Sequence, residues 1–254
     1  MTSPIPPTTT LAVRPHYGRW FLALQALAWT VLGSWYLAPT RAAWDWLDAS
    51  FFLAVNGTLG WGSAWQVAWA VASHRAFDLA AALCFIGLFV HYALAATGQL
   101  RLERLCRGGV TCAWAALTLA ILARVMEVER LSPSLVVDGA IRLSELVPYI
   151  KLKDVSGNSF PGDHGTAVLI FTTLGWVLMS TRTGLLALAT SAFFVMPRLV
   201  SGGHWLSDLA VGSVFCAGVS LSLALGTPTA RWLVRRCTHF LTPLWLRFPL
   251  LHGA

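Results

Sequence analysis

Charge is what this sequence is shortest of. Only 11% of its 254 residues are charged, whereas a soluble globular domain carries about 25%. A chain so poor in charge and 56% hydrophobic cannot cover a water-facing surface, which excludes a soluble domain and indicates an integral membrane protein. Lysine is scarcer still, with Lys151 and Lys153 alone. Arginine therefore carries the net charge of +7, and the arginines do not gather on one soluble module, which sets nucleic acid aside as a partner. Paired cysteines are missing as well. Cys84, Cys106, Cys112, Cys216 and Cys237 have no metal-ligand spacing and fall in no segment expected outside, so neither a disulfide framework nor a cysteine metal site is expected.

Long apolar runs are what the chain has in quantity. A membrane span needs roughly 20 predominantly apolar residues. Six helices are predicted, at 19–38, 77–98, 110–128, 164–180, 185–200 and 205–226. The Trp-rich stretch 44–73 is broken by glycines and reads as interfacial or re-entrant helices. The expected organisation is a disordered cytoplasmic N-terminus (1–18), a transmembrane catalytic domain (19–226) and a basic cytoplasmic tail (227–254). Arginine and lysine in short loops set orientation. Arg14, Arg19, the predicted loop Arg101–Arg107, Arg182, Arg231, Arg235 and Arg236 share one side if the N-terminus is cytoplasmic. Arg130, Arg142, Lys151 and Lys153 then lie on the opposite side, against the trend, and binding an anion would account for them.

That topology puts His164 at the outer start of the fourth helix, Arg198 at the outer end of the fifth, and His204 and Asp208 at the outer start of the sixth. Ionisable residues within or bordering spans are costly and tied to function. His204 and Asp208, four apart, share a helix face. An aspartate on one ring nitrogen fixes the tautomer and leaves the other free to attack phosphorus. His164 can act as general acid toward the departing oxygen and then as base toward the acceptor. Arg198 offers its fork to phosphate oxygens. The Pro161-Gly162 step opens a helix whose first N–H groups favour an anion, and Gly162 lets a phosphate approach the backbone. Lys153, nearer this segment than Lys151, is the better phosphate contact; the alternative is a loop salt bridge with Asp154.

Arg198-x5-His204-x3-Asp208 resembles the third signature of the type 2 phosphatidic acid phosphatase superfamily. Pro161-Gly162-Asp163-His164 resembles its second, usually Pro-Ser-Gly-His. The usual first signature, lysine, six residues, Arg-Pro, is absent, and its place is open to Arg130-Leu-Ser-Pro133 and Lys153. Ser132–Leu135, Arg142–Leu146, Lys153-Asp154-x-Ser156 and Ser159–Gly165, in that order, are similar to the bacterial lipid A 1-diphosphate synthases. Arg75-Ala-Phe-Asp78 and Pro197-Arg198 fit the same pattern. The resemblance implies an all-α, six-helix transmembrane bundle with interfacial helices between the first two spans. It implies a multi-pass protein of the bacterial inner membrane, with its site facing the periplasm and both termini cytoplasmic. The implied reaction moves a phosphoryl group from undecaprenyl diphosphate to the 1-phosphate of lipid A through a phosphohistidine. His204, His164 and Asp208 would be catalytic, and Arg198, Lys153, Arg130, Ser159, Gly162, Asp163, Arg142 and Arg75 would contact phosphate or headgroup. No metal or other cofactor is implied.

Other readings of the same residues stay open. Asp163 can simply complement a helix dipole, and Ser159 can be an N-cap. Arg142 and Glu145 can form a plain ion pair, and His74 and Arg75 can be interfacial anchors. His164, His204 and Asp208 could hold a metal, which the neighbouring basic charge opposes. With water as acceptor the site would be a lipid phosphatase. Without turnover the chain would be a lipid-binding membrane protein.

Overall fold

The computed structural model describes residues 16–125 and 128–247. The expectations for residues 1–15, for the last residues of the third predicted span (126–127) and for the end of the tail (248–254) lie outside the described residues. The helices are α1 (Tyr17–Tyr36), α2 (Ala38–Asn56), α3 (Ser63–Ala72), α4 (Arg75–Leu94), α5 (Gly98–Val125), α6 (Pro133–Val136), α7 (Leu143–Leu146), α8 (Asp163–Leu174), α9 (Thr181–Val200), α10 (Val214–Gly226) and α11 (Thr229–Leu246). Among the described residues there is no strand. Three isolated bridges, His74 with Leu152, Val128 with Phe160 and Arg130 with Asn158, tie the loops together.

Among the described residues, four helices are long and apolar enough to cross a membrane: α4, Gly98–Leu122 of α5, α9, and the continuous stretch Asp208–Gly226. A fifth span arises if α1 and Ala38–Trp61, bent by 85°, count as one. The predicted fourth span corresponds to the 12-residue α8 continued by a five-residue π-helical turn, Gly175–Met179, and is not among those four. The Trp-rich stretch is helical, as expected, with a 3₁₀ turn at Gly57–Trp61 between α2 and α3.

One segment differs from the expectation. Arg101–Arg107 is not a loop but the first part of α5. Its arginines, three residues apart, share a helix face and cap the carbonyls of neighbouring helix ends. Arg101 Nε donates to Ala96 O at 2.7 Å, Arg104 Nη1 to Tyr92 O at 3.0 Å and Arg107 Nη1 to Leu178 O at 2.8 Å. The predicted tail contains α11, which packs back on α5, where Cys237, Leu241 and Trp245 meet Leu102, Leu105 and Cys106.

Small residues set how closely the helices approach. At Gly218, a Cβ would lie 3.0 Å from the Ala28 Cβ, so α10 lies directly on α1, and Gln25 Nε2 donates to Ser222 Oγ at 2.9 Å across that seam. At Gly212, a Cβ would meet Pro161 Cα at 2.9 Å. This brings the start of α8 against the π-helical turn Asp208–Ser213 that precedes α10. The starts of α4, α8 and the Asp208–Gly226 helix and the ends of α5 and α9 meet at one end of the bundle, and there the loops close over them.

Candidate active site

A cavity of about 260 Å³ opens at that end. His164 and Asp163 enter it from the first turn of α8, Arg198 from the last turn of α9, and His204 from the loop that follows. Lys153, Ser156 and Asn158 line it from the loop before α8, and Leu119 and Leu122 of α5 form an apolar wall. The His164 and His204 ring centroids are 6.4 Å apart. The structure thus brings together His164, Arg198, His204, Asp163 and Lys153, as the sequence predicts.

The turn after α9 explains how Arg198 and His204 come to share the site. Gly202 takes φ +78°, the left-handed conformation that ends a helix without a Cβ penalty. Gly203 N then donates to Arg198 O at 2.9 Å and Gly202 N to Leu199 O at 3.3 Å, a Schellman closure. His204 N reaches the same Arg198 carbonyl at 3.2 Å. The chain is folded back so that both side chains face the cavity.

His204 is oriented by the backbone rather than by its predicted partner. Its Nδ1 lies 2.8 Å from the Ser159 carbonyl oxygen and 3.5 Å from Asp208 Oδ2. A carbonyl can only accept, so Nδ1 carries a proton, and in the neutral ring Nε2 is the nitrogen with the lone pair. The reason the predicted pairing with Asp208 is only a longer contact is local. His204 precedes the helix, and Asp208 turns back to accept from Trp205 N at 2.8 Å, as the third residue of a helix does in a capping box. The other Asp208 oxygen takes Arg130 Nη1 at 2.5 Å.

Arg130 is accordingly placed elsewhere than expected. It sits among Asp48, Ser207 and Asp208, at 2.7, 2.9 and 2.5 Å, with the Trp35 and Trp205 rings near its guanidinium. It does not line the cavity. Asp48 is fully buried and also accepts from Ser207 N at 2.7 Å and Ser207 Oγ at 2.5 Å. Nothing in the sequence reading singled out Asp48. An acid inside the aromatic run Trp44–Phe52 was the available signal.

Gly162 approaches protein, not the cavity. Its N–H donates to Asp208 O at 3.1 Å, and a Cβ there would lie 2.8 Å from Leu209 Cδ2. Ser159 is not the N-cap of α8, a position Gly162 holds. The Ser159 hydroxyl is buried with no hydrogen bond among the described residues, while its carbonyl anchors His204. Arg142 pairs with Glu145 at 2.5 Å, and neither it nor exposed Arg75 lines the cavity. His74 caps α4, accepting from Ala76 N at 3.0 Å. Asp154 is buried and accepts from Ser144 N at 2.9 Å, so it turns away from the cavity that Lys153 lines.

A second acid that the sequence reading did not assign to the site completes the geometry. Asp78, in the first turn of α4, accepts from Arg198 Nη2 at 2.6 Å on each carboxylate oxygen and lies 3.1 Å from His164 Nε2. The other nitrogen of His164, Nδ1, is 2.5 Å from Asp163 Oδ1. Asp163 and His164 open a helix that is not among the candidate spans. Burial works to lower the His164 pKa, but the Asp163 and Asp78 carboxylates overcome it and raise the ring to about 9. Burial works to raise Asp163, yet the two histidines hold its carboxyl well below the usual range. His164 is therefore charged at neutral pH and suited to donate a proton.

Asp163, His164 and His204 offer ligand atoms that all lie within 4.8 Å of one another, a set able to hold a metal ion. Two cationic side chains, Arg198 and Lys153, line the same cavity. An anion with several oxygens fits this charge pattern better than a cation.

Lipid A 1-diphosphate synthase of Escherichia coli (strain K12) is 32% identical to this chain over 188 residues, which span 74% of this chain and 79% of the relative. No family model matches the chain, and no solved structure matches it.

Proposed function

The chain belongs to the family of the lipid A 1-diphosphate synthases, and on that premise we propose that it is a membrane lipid phosphotransferase working through a phosphohistidine. The donor is undecaprenyl diphosphate and the acceptor is the 1-phosphate of lipid A. His204 Nε2 attacks the terminal phosphorus. The bond to the bridging oxygen breaks, His164 gives that oxygen its proton, and undecaprenyl phosphate leaves. An oxygen of the acceptor phosphate then attacks the phosphorus, its proton passes to His164, the P–N bond breaks, and His204 returns to its neutral form. Arg198 and Lys153 bind the phosphoryl oxygens throughout.

The observation that carries this reading is the arrangement around His204. Its Nδ1 is tied to the Ser159 carbonyl, and its Nε2 lies on the side of Asp163, His164 and the cavity. Arg101, Arg104 and Arg107 at the start of α5, and Arg182 at the start of α9, lie at the opposite ends of their helices from the cavity. By the positive-inside rule that supports a cytoplasmic face there and a periplasmic site in the inner membrane.

The test is transfer of label. Purified enzyme is incubated with undecaprenyl diphosphate labelled at the terminal phosphate, with and without lipid A. Label on lipid A is the expected result. Inorganic phosphate as the sole labelled product would make the protein a phosphatase, and no turnover would leave a lipid-binding protein. His204→Ala should abolish both transfer and covalent label, and full activity in it would overturn the nucleophile assignment. A chelator should leave the rate unchanged. Loss of activity restored by a divalent metal would instead assign Asp163, His164 and His204 to a metal.

A further inference from the structure

Asp78 is an acid at the site to which the reaction above gives no part. It does not line the cavity, yet it binds two side chains that do. One amino group of Arg198 spans both its oxygens at 2.6 Å, and His164 Nε2 stands at 3.1 Å. With Asp163 on Nδ1, the His164 ring is held between two carboxylates. An ionised carboxylate only accepts, so each ring nitrogen carries a proton. The same carboxylate therefore fixes a phosphate-binding cation and a proton donor relative to each other.

We propose that Asp78 is a positioning residue for phosphoryl transfer: from behind the cavity it keeps His164 fully protonated and aligns Arg198 on the same phosphoryl group. The inference rests on the phosphohistidine reading. A carboxylate that only braces the fold looks different here. Asp48 is 1% exposed and takes two of its three hydrogen bonds from Ser207, a residue outside the cavity lining. Asp78 has a side chain 38% exposed, stands at a helix mouth, and spends its hydrogen bonds on two cavity residues from two other helices. Nothing in the packing of α4 requires a carboxylate at that half-exposed place, and two catalytic groups do.

The test is Asp78→Asn, which keeps the shape and removes the charge. The expected kcat for transfer from undecaprenyl diphosphate falls about 100-fold, the range of a lost acid. KM should stay within about threefold, because the anion still meets Arg198 and Lys153. Formation of phosphorylated His204, followed by rapid quench, should be the slowed step. Wild-type kcat in this variant would overturn the proposal, as would equal losses in kcat/KM and thermal stability, which a mere brace would give. If Asp78→Asn does not fold, Asp78→Glu decides. It keeps the charge and should retain about a tenth or more of kcat, and a loss as deep as that of His204→Ala would overturn the proposal. His204→Ala run alongside separates the two readings. If it is inactive while Asp78→Asn is normal, only the role of Asp78 fails. If it is active, the phosphohistidine reading fails first.

Discussion

Arg130 and Arg198 stand at the same end of the bundle, and each is bound to carboxylates. Arg130 lies between Asp48 and Asp208 with Trp35 and Trp205 beside it, and its partners are 1% and 0% exposed. Arg198 is itself buried, with a side chain 5% exposed, but its head reaches Asp78, His164 and the cavity. In the first cluster every bond runs to another part of the scaffold. In the second, the bonds run to an acid at a helix mouth and to the carbonyl of a cavity residue, Lys153, with the His164 ring beside them. Residue type alone does not separate a structural cation from a functional one. The difference is whether the guanidinium faces the cavity that also holds the two histidines, as Arg198 does and Arg130 does not.

The hardest test of that contrast is Arg130→Ala. It would strand two buried carboxylates, and breaking such a pair costs about 3–5 kcal/mol. A large fall in thermal unfolding temperature in detergent is expected, with activity lost because the fold is lost. A stable but inactive variant would move Arg130 into the substrate site. Arg198→Ala should do the reverse. Its unfolding temperature should change little, while kcat/KM drops by about 100–1000-fold, as when one preorganised donor to a transferring group is removed. Arg198→Lys should recover only part, since a point charge lacks the fork.

A smaller effect sharpens the open side of the contrast through pH. His164 is raised to about 9 from an ordinary 6.5. Its stabilising pairing is fully present below pH 6.5 and is lost as pH rises through about 9. Transfer should therefore hold level up to about 9 and fall above it, and Asp163→Asn should move that limb toward 6.5. An unmoved limb would assign it to another group. The smallest effect belongs to Ser159→Ala. The hydroxyl is buried and unbonded, so stability should change by under about 1 kcal/mol, and turnover should persist because the carbonyl holds His204. Lost turnover would return the hydroxyl to phosphate binding.

Much of this site was legible in the sequence because the signals were local. His164 follows Pro161-Gly162 at a helix start, and Arg198 and His204 are joined by a six-residue step ending in a glycine turn. What stayed hidden depends on distance along the chain. Asp48 meets Ser207, 159 residues on, and Asp78 meets Arg198, 120 residues on. The placement of Arg130 away from the cavity was hidden too, because its two acids are 82 and 78 residues away. The anchor of His204 is a carbonyl, which every residue possesses, so no residue type could announce it. The arginines at 101, 104 and 107 read as a loop because charge interrupts an apolar run, although their spacing of three is also that of a helix face.

Leu119 and Leu122 give the cavity one wall that belongs to a membrane-crossing stretch. A lipid whose tail stays in hydrocarbon can turn its head past these leucines without entering water. Collisions with the enzyme then occur in two dimensions, within the leaflet. Rates should follow the mole fraction of substrate in the micelle or bilayer, so that adding inert detergent slows the reaction even when every bulk concentration is held fixed.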